Sequence, residues 1–339
     1  MAALSEIRSR RRRLVCLIVV LVASAAGGEA ALPAPALGAC APGAAGVAGG
    51  CAPPPLSDAG GPANLASSYG SGSFGRWLLD GFGLPVYRYT ADETRDPNAP
   101  QAELAGATRA QHQVGNDHIV AAAFNDGYTQ LWSQDRLMQW ANLFQPAGRH
   151  YAGGFGWLRI GGRTLSTLYL DRPAGAVFQR EFGVGYDRKQ VTADGVQVTQ
   201  VVYAPFGNDP VLLDDVTVRN ISHAPERATW FEYWDVNPYD QTVGETGTRG
   251  LRGASWNPAA RTLAVAQYGN NAADTAPLSI FAAALRGPVA GHDTSVSAFF
   301  GGGGRRIPAE VAADRLSGGL AGGSAPGTPG HTLFAFRAR

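Results

Sequence analysis

The chain has 339 residues, of which 28 are basic and 27 acidic, so its formal net charge is +1. A near-neutral chain is a poor match for nucleic acid, because binding a phosphate backbone requires clustered cationic side chains. Hydrophobic residues make up 45% of the chain, which argues against global disorder, and the glycines have no three-residue period, which excludes collagen. The length fits one large β domain or two ordinary domains.

The amino terminus has the pattern of an export signal. Five arginines between residues 8 and 13 precede an apolar run from Leu14 to Ala26. This run is too short to span a bilayer, which takes about twenty residues, and small residues suited to signal cleavage follow it. We therefore predict a signal peptide over residues 1–30 and a periplasmic or extracellular protein with no membrane attachment after cleavage. The alternative is a misassigned start codon and a cytoplasmic protein.

Residues 31–66 are rich in Ala, Gly and Pro and carry almost no charge, which predicts a disordered linker. Cys40 and Cys51 lie in this segment. An oxidising compartment would permit a disulfide between them, and two unpaired thiols are the equal alternative. Leu37–Cys40 has the form of a lipoprotein box, but it lies well past the apolar run, so we favour an ordinary signal peptide over a lipid anchor.

From residue 67 onward the sequence predicts strands. Turns rich in Asn, Asp and Gly separate paired runs of β-branched and aromatic residues, which is typical of β-hairpins. The paired runs are Ile119–Phe124 with Tyr128–Trp132, Trp157–Ile160 with Arg163–Thr167, and Gln190–Thr192 with Val196–Tyr203. Further strands are predicted over Val211–Asn220, Thr229–Val236, Thr262–Tyr268, Leu278–Leu285 and Thr332–Phe336.

Helical periodicity is scarce in this region. Pro308–Leu316 predicts one short helix that begins with proline, and Asp135–Phe144 stays ambiguous. Turn signals recur at the spacing of an antiparallel sandwich, and the chain has no internal repeat of the kind that marks a propeller. We therefore predict an all-β, mainly antiparallel domain over residues 67–339.

The search for a reactive site yields no catalytic residue, no metal ligand and no cofactor. Gly301–Gly304 with Arg305 and Arg306 is Gly-rich and basic, but it lacks the strand-to-helix context of a nucleotide site and predicts a loop. His112 and His118 have no further ligands nearby in sequence, so a metal site is disfavoured there. A hydrogen-bonded turn built from Asn116, Asp117 and His118 is the preferred interpretation.

Two segments mix aromatic and polar side chains in a way that could bind a sugar. Aromatic rings can stack on a sugar ring, while carboxylates and amides bond its hydroxyls. The alternative is core aromatics with turn-capping acids. The candidate carbohydrate-binding residues are Trp132, Gln134, Asp135, Arg136, Trp140, Trp234 and Asp235.

Seven segments together resemble the amino-terminal domain of bacterial cellobiose-phosphorylase-like proteins, from about Tyr69 to the end of the chain. They are Gly70–Gly75, Phe82–Thr90, His112–Asp117, Gly127–Trp132, Arg149–Leu158, Val216–Ser222 and Glu232–Asn237. The resemblance implies a β-supersandwich of two large antiparallel sheets with few short helices. It also implies that the catalytic acid and most of the site for inorganic phosphate, the co-substrate of that family, belong to an α/α barrel that this chain lacks.

The resemblance leads to a functional expectation. We expect a non-catalytic domain that contributes an oligosaccharide-binding rim and dimer contacts to a longer glycoside phosphorylase or hydrolase acting on β-linked glucosides, and we expect this chain to be a fragment of it. Its partners would be an oligosaccharide, the α/α barrel and a second copy of the chain. A self-contained exported sugar-binding module is the alternative, and a stand-alone glycoside hydrolase is less favoured.

Overall fold

The structure is a computed structural model that describes residues 56–60, 74–91, 110–134, 139–240, 250–268, 277–326, 328 and 330–339. The predicted signal peptide lies outside these residues, as do Cys40 and Cys51. Asp135 and Arg136 also lie outside them.

The described residues form short strands with two brief α-helices. The strands of the first half are β1 (Leu56–Gly60), β2 (Gly75–Asp80), β3 (Pro85–Tyr89), β4 (Gln111–Gly115), β5 (Ile119–Phe124), β6 (Thr129–Ser133), β7 (Gln139–Trp140), β8 (Phe144–Gln145), β9 (His150–Tyr151), β10 (Gly153–Ile160) and β11 (Arg163–Ser166). Those of the second half are β12 (Val177–Gly183), β13 (Tyr186–Ala193), β14 (Val196–Tyr203), β15 (Leu213–Asn220), β16 (Ala228–Val236), β17 (Tyr239–Asp240), β18 (Ser255–Asn257), β19 (Thr262–Ala266), β20 (Ser279–Ala283), β21 (Val289–Asp293) and β22 (Thr332–Ala338). The helices are α1 (Val296–Phe300) and α2 (Ala309–Ala312).

Two large antiparallel sheets dominate the fold, which confirms the predicted all-β class. The seven-stranded sheet has the order β1-β2-β3-β12-β13-β14-β15. The ten-stranded sheet has the central order β17-β7-β6-β10-β16-β22-β21, with β5 beside β6, β4 beside β5 and β11 beside β10. Strand β1 pairs with β2 although it lies within the segment predicted as linker, because an edge strand needs only backbone groups to join a sheet.

The main core lies between the two sheets, and β16 shows how the sequence directs side chains into it. Trp230 and Trp234 cluster with Val191, Val198 and other apolar residues of the seven-stranded sheet. Their neighbour Tyr233 faces the opposite way, as the two-residue period of a strand requires. The ten-stranded sheet is therefore covered on both faces along this strand.

A second apolar cluster covers the outer face of the ten-stranded sheet. Phe299 and Phe300 of α1 pack against Tyr233, with ring centroids 5.8 and 5.6 Å apart. Val311 of α2 is fully buried in the same cluster. The segment from α1 to α2 thus forms an outer layer over the central strands. The sequence analysis did not predict this layer.

The three predicted hairpins are present. They correspond to β5 with β6, β10 with β11, and β13 with β14, each an antiparallel pair. The predicted helix is shorter than expected and ends at Ala312. Asp314 adopts a left-handed backbone with φ of 50°, which a continuing α-helix cannot accommodate.

Candidate functional site

Trp132 and Trp140 form a pair on the outer face of the ten-stranded sheet. They lie directly opposite each other on β6 and β7, with ring centroids 4.8 Å apart and planes at 62°. Leu131 is buried in the inter-sheet core, so Trp132, its neighbour in the strand, points outward. Tyr239 of β17 lies opposite Trp140 and is also partly exposed. We call Trp132, Trp140 and Tyr239 the aromatic row.

Gln134 continues β6 beyond the aromatic row and secures a neighbouring turn. Its side-chain amide donates to the Asn116 carbonyl oxygen at 2.6 Å. Asn116 in turn accepts from the backbone N–H groups of His118 and Ile119 at 3.0 and 3.2 Å. This is a hydrogen-bonded turn at the position where we predicted one.

His112 contacts a backbone carbonyl oxygen and an aromatic ring of the seven-stranded sheet. Its Nε2 lies 2.7 Å from the carbonyl oxygen of Gly183, and its ring stacks on Phe182 with centroids 5.4 Å apart. Burial lowers the pKa of this imidazole, so the ring is neutral at pH 7. The contacts of His112 therefore join β4 to the opposite sheet.

Trp234 lies in the core rather than at a surface. Its exposed fraction is 2%, and its ring packs so closely on Gly153 that a Cβ added there would lie 2.5 Å from the indole. Of the two interpretations that the sequence left open for this residue, the structure favours the core aromatic. Trp234 supports the sheet beneath the outer face and offers no ring for stacking on a sugar.

Asp235 lies at the end of β16 and contacts two histidines from other strands. Its Oδ2 is 3.0 Å from Nδ1 of His150, and its Oδ1 is 2.9 Å from Nε2 of His331. The carboxylate is fully buried, whereas the two imidazoles retain 17% and 22% exposure. We call His150, Asp235 and His331 the His–Asp–His cluster. One donor atom from each residue lies within 4.8 Å of the other two.

The backbone around His150 adopts an uncommon conformation. Arg149 and Ala152 have φ values of 60° and 56°, a left-handed region that residues with a Cβ seldom occupy. The Ala152 carbonyl oxygen accepts from the backbone N–H of Asp235 at 2.6 Å. These two positions bend the chain so that His150 faces the Asp235 carboxylate on β16.

Tyrosines with raised pKa values lie next to the cluster. Burial, and then the negative Asp235, raise the pKa of Tyr233 well above its usual value. Burial also raises the pKa of Tyr151, although the guanidinium groups of Arg305 and Arg149 oppose the shift. Both hydroxyls therefore stay protonated at neutral pH.

Asn237 links the His–Asp–His cluster to the aromatic row. It follows β16 by one residue, and its side-chain oxygen accepts from the backbone N–H of Leu143 at 2.8 Å. Its own N–H donates to the Ala141 carbonyl oxygen at 3.2 Å. The strand that carries Asp235 thus runs alongside the segment after Trp140, and both features lie on one face of the ten-stranded sheet.

A separate group of ionisable side chains is sealed between the sheets. Lys189, the one lysine in the sequence, donates from Nζ to the carbonyl oxygens of Gly127 and Gly154. Burial raises the pKa of Asp214 to about 7. Burial together with Asp214 raises the pKa of Glu232 well above its usual value. All three ionisable residues are at most 1% exposed, so solvent does not reach this network.

A cleft of about 850 Å³ opens between the sheets at one end of the sandwich. Arginines 159, 227 and 339 line it, and the aromatic residue in its wall, Trp230, is fully buried. A smaller cavity of about 210 Å³ lies beside His331 and is lined in part by Arg252 and Ser324. Among the described residues that line the large cleft, no aromatic ring is exposed, whereas the small cavity borders the His–Asp–His cluster.

The comparisons with known proteins are negative: no family model matches the chain, and no curated protein matches it. The described residues contain no helix with the length and apolar character needed to span a bilayer.

The sequence analysis singled out Asp235 but not its two partners. His150 and His331 are 85 and 96 residues away from it along the chain, so no local spacing marks the three as a group. The order of strands in the sheet brings them together. The left-handed residues on either side of His150 also carry no sequence signal, because neither is glycine or asparagine.

Proposed function

We propose that this chain is a carbohydrate-binding β-sandwich domain of the kind found at the amino terminus of cellobiose-phosphorylase-like proteins. In this role it contributes an oligosaccharide rim and dimer contacts to a longer glycoside phosphorylase or hydrolase. It supplies no catalytic residue of its own, and inorganic phosphate would belong to the barrel of the longer protein.

The aromatic row is the observation that carries this proposal. A sugar ring stacks on an aromatic face and needs a rigid platform, because ordering a mobile side chain costs free energy on binding. Trp132 and Trp140 are held edge to face by adjacent strands, and both remain partly exposed. Tyr239 extends the platform by one strand and adds a hydroxyl that can hydrogen-bond a sugar.

Three of the seven family-like segments lie together in the fold, which gives further support. Gly127–Trp132 contains most of β6, Arg149–Leu158 spans β9 and the first part of β10, and Glu232–Asn237 ends β16. These segments are far apart in sequence but occupy the same part of the ten-stranded sheet. A surface built from them is a coherent place for the function that the family resemblance implies.

The proposal is tested by titrating the full chain with cello-oligosaccharides in a calorimeter. We expect saturable binding that Trp132→Ala and Trp140→Ala each weaken by about fivefold or more, because each removes an aromatic contact worth about 1 kcal/mol. Trp77→Ala is the matched control. Trp77 is also a partly exposed tryptophan in an edge-to-face pair, with Tyr87 at 5.1 Å, but it lies on the other sheet.

Two results would contradict the proposal. The first is a glycan array on which the chain binds no sugar. The second is an equal loss of affinity in Trp77→Ala, which would mean that the tryptophans act through stability. Release of reducing sugar by the purified chain would instead favour a stand-alone hydrolase.

A further inference from the structure

We propose that His150, Asp235 and His331 form a binding site for one divalent transition-metal ion such as Zn²⁺. This inference goes beyond the proposed function and does not depend on it. It follows from the chemistry and geometry of the three side chains.

The donor atoms are of the right type and nearly at the right separation. Zinc takes imidazole nitrogen and carboxylate oxygen at about 2.0–2.2 Å, which places two ligands of a tetrahedral ion roughly 3.3 Å apart. The carboxylate oxygens of Asp235 lie 3.0 and 2.9 Å from the ring nitrogens of His150 and His331. One donor atom from each residue lies within 4.8 Å of the other two, so an ion placed between them is within reach of all three.

The ligands are held in place before any ion binds. Each one comes from a different segment: His150 from β9, Asp235 from β16, and His331 from the residue before β22. The backbone of Asp235 is fixed by pairing with β22 and by its hydrogen bond to Ala152. The left-handed conformations of Arg149 and Ala152 hold His150 toward the site, and backbone strain of this kind is concentrated at functional positions.

The site leaves a coordination position for a small ligand. Three protein ligands with a fourth position for water are the usual arrangement of zinc sites that exchange ligands. The imidazoles are partly exposed, and His331 borders the 210 Å³ cavity, which is large enough to hold water. Ser324 and Arg252 line the same cavity and add polar groups to it.

The ligand set also selects among metals. Imidazole suits Zn²⁺, Ni²⁺, Cu²⁺ and Fe²⁺, whereas Ca²⁺ and Mg²⁺ prefer sites made entirely of oxygen ligands. A site with two imidazoles and one carboxylate should therefore bind Zn²⁺ and Co²⁺ but not Ca²⁺ or Mg²⁺. An ion here would also join three separate strand segments and stabilise the folded state by mass action.

The test uses the full chain, untagged, stripped with a chelator and titrated with ZnCl₂ in a calorimeter. We expect one Zn²⁺ per chain, a higher melting temperature with Zn²⁺, and no saturable binding of Ca²⁺ or Mg²⁺. Co²⁺ should give the visible absorption of a tetrahedral ion. Removing a residue that only hydrogen-bonds a metal ligand already lowers metal affinity roughly 10- to 100-fold. Removing a ligand itself, as in His150→Gln, Asp235→Asn and His331→Gln, should therefore lower the Zn²⁺ affinity more than tenfold.

Two control variants locate the binding. His223→Gln removes an exposed histidine of the loop between β15 and β16 and should leave the affinity unchanged. Replacing all three cysteines with serine should also leave it unchanged, which separates this site from binding to the thiolates of residues 16, 40 and 51.

The proposal is overturned if the stripped chain binds neither Zn²⁺ nor Co²⁺ saturably. It is also overturned if a variant that lacks one of the three ligands keeps full affinity while its circular-dichroism spectrum stays native. Because Zn²⁺ is titrated without any glycan, this result is independent of the sugar-binding test. The Co²⁺ spectrum of the unmodified chain keeps the test decisive even if one variant fails to fold.

Discussion

Asp187 and Asp214 show at the scale of single residues how burial changes an ionisable group. Both carboxyls lie in the core, and burial raises the pKa of each from 3.8 to about 7, against the opposing effect of Lys189. Lys189 itself is shifted in the other direction, because burial lowers the pKa of its ammonium group. The network is thus a set of charges that the fold keeps partly neutral.

These shifts predict how stability depends on pH. Between about pH 4 and pH 7 the folded chain retains carboxyl protons that the unfolded chain has lost, so the unfolding free energy should fall as the pH rises through this window. Urea unfolding across this window measures the effect. The unfolding free energy of Asp214→Asn should depend less steeply on pH than that of the unmodified chain, by up to about 1.4 kcal/mol per pH unit. Asp194→Asn, at an exposed position, should keep the slope of the unmodified chain. Equal slopes for Asp214→Asn and the unmodified chain would show that Asp214 does not retain its proton.

At the scale of elements, strand β10 depends on glycine for close packing. Gly156 lies opposite Glu232 of β16, and a Cβ added to it would overlap the Phe231 carbonyl oxygen and the Trp230 ring. Because the carbonyl belongs to the paired strand, it cannot move away without breaking the ladder. The missing side chain lets a buried tryptophan lie over the backbone.

Gly156→Ala should therefore destabilise the fold by about 1–3 kcal/mol, the usual cost of overpacking a core. Gly302→Ala is the matched control, because a Cβ there would meet nothing within 4 Å. Thermal unfolding of the two variants makes the comparison. A Gly156→Ala variant as stable as Gly302→Ala would show that the two strands can separate locally at little cost.

The hairpins were predictable because their signals are local. Asp194 and Gly195, for example, connect β13 to β14 with φ values of 50° and 78°, which Asp and Gly tolerate best. Helix α1 has local end signals, an N-cap at Ser295 and a glycine at 301, but no periodicity between them. It has five residues and is held by the burial of Phe299 and Phe300 against another element, which no periodicity in so short a segment can reveal.

At the scale of the whole molecule, an ion pair joins the outer layer to the loop after β11. Arg305 donates from Nε and Nη2 to the two carboxylate oxygens of Asp171 at 2.6 and 2.8 Å. The Asp171 side chain is 1% exposed, so the arginine takes the place of water around its carboxylate. The Gly-rich basic segment is thus a loop, as predicted, and its first arginine connects the layer between α1 and α2 to the rest of the fold.

Arg305→Lys should destabilise the chain by about 1–3 kcal/mol, because lysine cannot form the two parallel bonds and Asp171 stays buried. Arg306→Lys is the adjacent control. That arginine is 79% exposed and lies 3.7 Å from the same carboxylate, so its replacement should change little. Chemical denaturation measures both variants. The interpretation fails if the two substitutions have equal effects.

The sequence by itself determined the all-β class, the three hairpins and the aromatic residues of β6 and β7, because alternation and turn chemistry act over a few neighbouring residues. Only the tertiary structure decided that Trp132 and Trp140 face outward while Trp234 is buried. It alone also brought His150 and His331 to Asp235. The physical reason is that a strand's neighbours in a sheet are chosen by burial and pairing across the whole chain. Residues 85 and 96 positions apart meet by that choice and by no local rule.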